Sequence, residues 1–278
     1  AATAFGWQSN ATGERAHAIG HIASAQGERS LAVGEAAQAQ TAFSTAIGNQ
    51  AVANGVDALA VGDNASSTGT STTAVGGESV ANGTAATAFG WQSNATGERA
   101  HAVGHLASAQ GERSLAVGEA AQAQSAFSTA IGNQASATGV DALALGDNAS
   151  ATGNSTSALG GESVATGPGA SAFGWQAMAT AERAQAFGHL ATAQGVRSLA
   201  VGENADAQTA NSTAIGNEAI ANGIDALALG DTALAQGNST TAVGGESVAT
   251  TPGATALGWQ ARATGAMGTA VGHQTTAS

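Results

Sequence analysis

The tripeptide Ala-Φ-Gly, in which Φ is Val, Ile, Leu or Phe, returns every 14 residues without a slip. It opens at Ala4-Phe5-Gly6, continues through Ala18-Ile19-Gly20, Ala32-Val33-Gly34 and Ala46-Ile47-Gly48, and closes at Ala270-Val271-Gly272, twenty copies in all. A register held over a whole chain means that one short unit is stacked on itself, because such a unit buries its faces only against its neighbours.

Within each unit the residues four and six after Φ are small, as Ala37 and Ala39 are after Val33, Ala51 and Ala53 after Ile47, and Ala135 and Ala137 after Ile131. Positions two apart share one face of a β-strand, so these small residues line one side. By the same rule the residue two before Φ shares the face of Φ. Leu31, Leu59, Leu115, Leu143, Leu199 and Leu227 stand there, alternating with Thr, Ser, His or Gln. Gly follows Φ every time, and a second Gly usually sits eight residues after it, as at Gly13, Gly27, Gly55 and Gly69. Gly suits a positive φ or a close backbone approach. Each unit therefore reads as two short strands joined by two tight turns, one coil of a parallel β-solenoid whose turns repeat about 4.8 Å apart. Helix is the competing reading, since Ala favours it. The Gly and Asn at the turns, the absence of Lys and the breaking of the period by Gly oppose it. The larger apolar column is expected to be the structural core of the repeat: Phe5, Ile19, Val33, Ile47, Val61, Val75, Phe89, Val103, Val117, Ile131 and their later equivalents.

A longer period lies over the short one. Two residues after Φ the chain runs Trp7, His21, Glu35, Asn49, Asp63, Gly77, then Trp91, His105, Glu119, Asn133, Asp147, Gly161, then Trp175, His189, Glu203, Asn217, Asp231, Gly245, and begins again at Trp259 and His273. Six short units thus make an 84-residue block, the mark of duplication. The whole of 1–278 reads as a single repetitive region.

Composition sets the remaining limits. Hydrophobic residues reach 43%, but much of that is Ala, and 40 residues are Gly, so an ordinary core of Leu, Ile and Phe cannot be assembled. Charged residues are only 9%, which separates the chain from charge-rich disordered segments. The net charge of −12 and a pI near 4.6 oppose a nucleic-acid partner or a polybasic membrane-surface role. With no Cys, neither disulfides nor thiolate metal sites contribute. No apolar run is long enough to insert in a membrane, and no signal-peptide pattern opens the chain, so any export signal, stalk or anchor is expected outside residues 1–278. A coil of 14 residues also encloses little volume. Its ordering entropy is hard to offset alone, so one apolar face is expected to self-associate.

The repeated [Ser/Thr]-Ala-Φ-Gly-x-x-[Ser/Ala]-x-Ala-x-Gly unit resembles the YadA-like head of trimeric autotransporter adhesins. Asn211-Ser212-Thr213-Ala214-Ile215-Gly216 lies nearest to that family's Asn-Ser-Val-Ala-Ile-Gly signature, and Ser44 to Gly48 and Ser128 to Gly132 are similar. The resemblance implies an all-β, left-handed parallel β-roll of twenty turns, packed side by side as a homotrimer. It implies an extracellular position on a bacterial surface, anchored in the outer membrane through a stalk and barrel beyond this sequence. It also implies attachment to host cells or extracellular-matrix proteins, collagen among them, and autoaggregation. On that basis Asn211 to Gly216 is the candidate ligand-facing signature.

Other constellations bear on chemistry. His17 and His21, and again His101 and His105, stand four apart on what reads as one strand face, and imidazole is a common metal ligand. Gln185 replaces the first His in the third block, which favours a polar stripe. Glu35, Asp63, Glu119, Asp147, Glu203 and Asp231 lack the nine-residue spacing of calcium-binding β-rolls and read as solvated turn residues. The Gly-rich stretches lack the strand–loop–helix setting of a phosphate loop. The four Trp are read as filling a crowded turn or a subunit interface. No catalytic residue, cofactor or metal is assigned, and enzyme is the least favoured class. An ice-binding solenoid would need a flat Thr array, whereas Thr72-Thr73 and Thr275-Thr276 are scattered. The two readings that stand are a multivalent adhesin head and a structural spacer that projects another binding domain.

Overall fold

A computed structural model describes residues 1–278, in two compact units, Ala1–Asp141 and Ala142–Ser278. Both are built wholly of short strands and turns. In the first unit, three-residue strands run from Thr3–Phe5 to Thr129–Ile131 and alternate with two-residue strands from Asn10–Ala11 to Ser136–Ala137. In the second, the corresponding ranges are Leu143–Leu145 to Thr269–Val271 and Ser150–Ala151 to Thr276–Ala277. The three-residue strands are termed the A-row and the two-residue strands the B-row.

Within each compact unit, each strand pairs in parallel with the strand 14 residues on. Thr45, Ala46 and Ile47 stand opposite Leu59, Ala60 and Val61 in the A-row, and Val52 and Ala53 opposite Ser66 and Ser67 in the B-row. Backbone bonds such as Thr45 N–H to Ala58 O at 2.8 Å and Gly48 N–H to Val33 O at 2.8 Å tie one turn to the next. Every unit is thus one coil of a parallel β-solenoid, as the 14-residue period predicts.

The corners explain the rest of the repeat. Ser44 N–H donates to Thr41 O at 3.3 Å and Ala51 N–H to Gly48 O at 3.5 Å, closing a tight turn at each end of the coil. The left-handed αL residue in these corners is mostly not Gly. Gln50 (φ 54°), Asp57 (φ 57°) and Asn64 (φ 54°) hold it, as does the β-branched Ile22 (φ 58°). Such a conformation is costly for an L-residue. It is held by a bond to the previous turn, for example Gln50 N–H to Glu35 O at 2.7 Å.

The interior of the coil differs from the sequence expectation. Its walls are the central A-row Ala (Ala32, Ala46, Ala60), the residue three before Φ (Ser30, Ser44, Ala58), and the small residues four and six after Φ (Ala37, Ala39, Ala51, Ala53), all fully buried or nearly so. The largest fully buried side chains are Thr72, Thr156 and Thr240. Phe5, Ile19, Val33, Ile47, Val61, Val75, Phe89, Val103, Val117 and Ile131 do not lie in this interior. They project from the opposite face of the A-row, half-buried at best, with Phe5 74% and Ile47 37% exposed. The reason is alternation: the Ala before Φ faces the B-row across a gap only a methyl group fills, so Φ and the residue two before it face out.

Most polar atoms inside are satisfied locally, Ser198 Oγ and Ser247 Oγ being exceptions. Ser44 Oγ donates to Thr41 O at 2.7 Å and Ser30 Oγ to Gly27 O at 2.7 Å, in the corner that each residue follows. Where Ser67 replaces Ala in the B-row, its Oγ lies 2.7 Å from Thr72 Oγ1, linking the two rows across the core.

Candidate functional site

The surface of each coil offers three kinds of column, because equivalent residues 14 apart are stacked along the solenoid. The first is apolar. Outward A-row residues Val33, Ile47 and Val61 stand in paired register, one above another, as an unpartnered apolar stripe, and beside them Leu31 and Leu59 flank Thr45. Contiguous exposed apolar surface of this kind marks an interaction face.

The second column is the outward B-row, where Asn10, Ser24, Gln38, Val52, Ser66 and Val80 mix polar and apolar groups. In the second unit a groove of about 440 Å³ runs along this face between Asn204, Asp206, Glu218, Ile220, Thr232 and Leu234. Another, of about 330 Å³, is lined by Glu246, Gln260, Arg262, Gln274 and Thr276.

The third column is the first corner, two residues after Φ. Here the order of the 84-residue block becomes a physical stack. The indole of Trp91 lies 4.9 Å from the imidazole of His105 at 24° between planes, and Trp7–His21 and Trp175–His189 repeat this at 5.0 Å. His21 Nδ1 then approaches Glu35 Oε1 at 3.4 Å, and Asn49 Nδ2 donates to Asp63 Oδ1 at 2.8 Å. The Trp are therefore not buried in a crowded turn. They remain 44% to 65% exposed and pack against the His of the next coil. His17 and His21 are not on one strand face either. The strand ends at Ile19, so His17 projects from the A-row and His21 from the corner beyond Gly20. No group of three or more His, Cys, Asp or Glu side chains is gathered.

At the opposite corner, Arg29 and Arg113 lie over the rings of Phe43 and Phe127, each 5.5 Å from the centroid. Exposed pairs such as Arg29–Glu28 at 3.6 Å accompany them, and pairs of this kind contribute little to stability.

The candidate signature divides between inside and outside. Ser212 and Ala214 are fully buried, and Ser212 Oγ is committed to Thr209 O at 2.6 Å. Neither is positioned to meet a ligand. Asn211 is exposed in the second corner, where its Nδ2 donates to Asp225 Oδ1 at 3.0 Å, while Thr213 and Ile215 face out from the A-row and Gly216 turns the first corner. Only alternate residues of the signature are therefore accessible. The alternation rule that placed Φ and the small residues on opposite faces already carried this.

These features define a class: a parallel β-solenoid whose interior is spent on Ala and whose chemistry is arranged in surface columns. The YadA head domain repeat (2 copies) matches it over residues 1–21, 25–51, 53–79, 81–107, 109–135, 137–163, 165–191, 193–219, 221–247 and 235–261. The chain belongs to the YadA head repeat family. Among solved structures, the collagen-binding domain of the Yersinia adhesin YadA is similar at 20% identity, covering 66% of this chain and 72% of that one, with a TM-score of 0.26. No curated protein matches the chain.

Proposed function

We propose that this chain is the head of a bacterial surface adhesin, assembled as a homotrimer of left-handed β-rolls and attaching to host cells or extracellular-matrix proteins. The observation that carries the proposal is the outward A-row. A coil with an interior of Ala, Ser and Thr buries little large apolar area, yet it leaves a column of Val, Ile, Leu and Phe uncovered on one face. A closed cyclic assembly removes such a face from water in every copy at once. Family membership supports three as the number of copies and adhesion as the role.

With the A-rows turned inward, the B-row and the corners form the outer surface. Each presents the same few side chains at about 4.8 Å intervals along the coil. Weak contacts repeated on a stiff trimer combine through effective concentration, so modest sites yield firm attachment. Anchoring in an outer membrane and autoaggregation belong to the same reading.

The test is binding of the intact chain to immobilised matrix proteins, collagen among them, and to host cells, with the assembled mass measured on the same sample. Saturable binding by a trimer, weakened when the A-row is made monomeric by substitution, is the expected result. A trimer that binds neither would make the chain a spacer.

A further inference from the structure

The first-corner column has one rung without a side chain in each 84-residue block. Between the Asp63 rung and the Trp91 rung lies Gly77, and between Asp231 and Trp259 lies Gly245. The backbone does not demand Gly here, since neither residue lies in the left-handed region. What the position lacks is bulk. A Cβ on Gly77 would sit 3.1 Å from Trp91 Cδ1 and 3.7 Å from the backbone oxygen of Asp63; on Gly245 it would sit 3.2 Å from Trp259 Cδ1 and 3.9 Å from Asp231 O. Gly161 stands in the same relation to Asp147 and Trp175.

The empty rung has a chemistry. Its floor is an indole whose other face is already stacked on His105, so the 49% exposure of Trp91 falls on the Gly77 side and the ring edge. Its far wall is Asp63, held from beyond by Asn49 through Oδ1, while Oδ2 has no partner within the chain. Glu78, next to Gly77, adds a second carboxylate, which accepts from Gln92 Nε2 at 2.7 Å. Two adjacent turns leave about 9.6 Å between the flanking rungs, room for one planar layer at stacking distance from each. An aromatic face on one side and carboxylates on the other select a planar cation, which gains both cation–π attraction and ion pairing.

We propose that the Gly77 rung is a receptor for an arginine side chain of a partner protein, the guanidinium lying on Trp91 and pairing with Asp63, with an equivalent site at Gly245. The site is complete within one chain and does not rest on the trimer. The net charge of −12 on a chain of 278 residues favours such a partner at longer range. Exposed contacts of this type are individually weak, so a single site is expected to bind with a dissociation constant on the order of millimolar.

The test uses the intact chain labelled with 5-fluorotryptophan, in low salt, titrated with Nα-acetyl-arginine amide and separately with its uncharged citrulline analogue. Four fluorine resonances report the four Trp, and Trp7, with no Gly–Asp pair of this kind among residues 1–6, is the internal control. The arginine probe is expected to shift Trp91 and Trp259 saturably, with Trp7 and the citrulline titration nearly silent. Asp63→Asn should weaken the Trp91 site at least ~threefold and leave Trp259 unchanged. Gly77→Asn, which fills the rung, should remove the Trp91 response alone, with the far-UV circular dichroism of both variants unchanged. Equal shifts from arginine and citrulline, a Trp7 response as large as the others, or an unaltered Trp91 affinity in Asp63→Asn would overturn the proposal.

Discussion

A Cβ placed on Gly48 would lie 2.2 Å from the carbonyl oxygen of Gly62, one turn along the coil. Gly48 also holds a φ of +136°, a region essentially closed to side chains. Strain and collision act together, so Gly48→Ala is expected to cost more than ~3 kcal/mol, measured as a fall in the denaturation midpoint. The second corner behaves differently. Its Gly55 has no positive φ, and the equivalent position one turn earlier is Thr41, whose Oγ1 donates to Gly55 O at 2.6 Å. A Cβ on Gly55 would nonetheless lie 1.7 Å from the carbonyl oxygen of Gly69, so Gly55→Thr is expected to cost roughly 1–3 kcal/mol through collision alone, less than Gly48→Ala, where backbone strain adds to it.

Ala130 is fully buried where the two rows face each other. Nothing larger than Thr is fully enclosed anywhere in the coil. Ala130→Leu is expected to destabilise by roughly 1–3 kcal/mol or more, the ordinary cost of overpacking, because the preceding turn is tied to this one by backbone bonds such as Gly132 N–H to Val117 O and cannot part. Thermal unfolding followed by circular dichroism would register it, and an unchanged midpoint would refute the closed Ala interior.

Leu59 and Val61 project outward from the A-row and are only half-buried within one chain. Leu59→Asp with Val61→Asp should leave the β-type circular dichroism in place while splitting the assembly, since the charge lands on the face assigned to self-association and not in the coil. The reading is the mass by light scattering, and an assembly that survives both substitutions would locate the interface elsewhere.

Because each turn contacts only its neighbours, removing one whole turn preserves every register. Deletion of residues 62–75 joins Val61 to Gly76 and keeps A-row on A-row. A cut of seven residues, 62–68, instead places A-row residues against the B-row. The first deletion is expected to shift the melting temperature by a few degrees and the second to abolish cooperative unfolding, both read by circular dichroism.

The period of 14, the two strands, the two corners and the small-residue wall were all legible in the sequence, because Gly, Ala and alternation write them in every unit. The direction of the larger apolar residues was not. Val33 and Ile47 look like core by size, and only the narrowness of a coil closed over Ala46 and Ala53 turns them outward. The same habit of assigning bulk to the interior hid the corner stack. Trp91 and His105 were recognised as equivalent positions, and a strict 14-residue register already places equivalent positions in contact; their 4.9 Å stacking follows from it. The four-residue spacing of His17 and His21 reads as one face only while the strand continues, and it ends at Ile19, before Gly20 turns the corner.

The central claim, an Ala-filled coil completed by its own copies, is tested most directly by the solution mass of the intact chain, with far-UV circular dichroism on the same sample. The account predicts a β-rich particle of three times 26.4 kDa. A β-rich monomer of 26.4 kDa would contradict it, leaving the solenoid but denying the role given to the outward Val, Ile and Leu column.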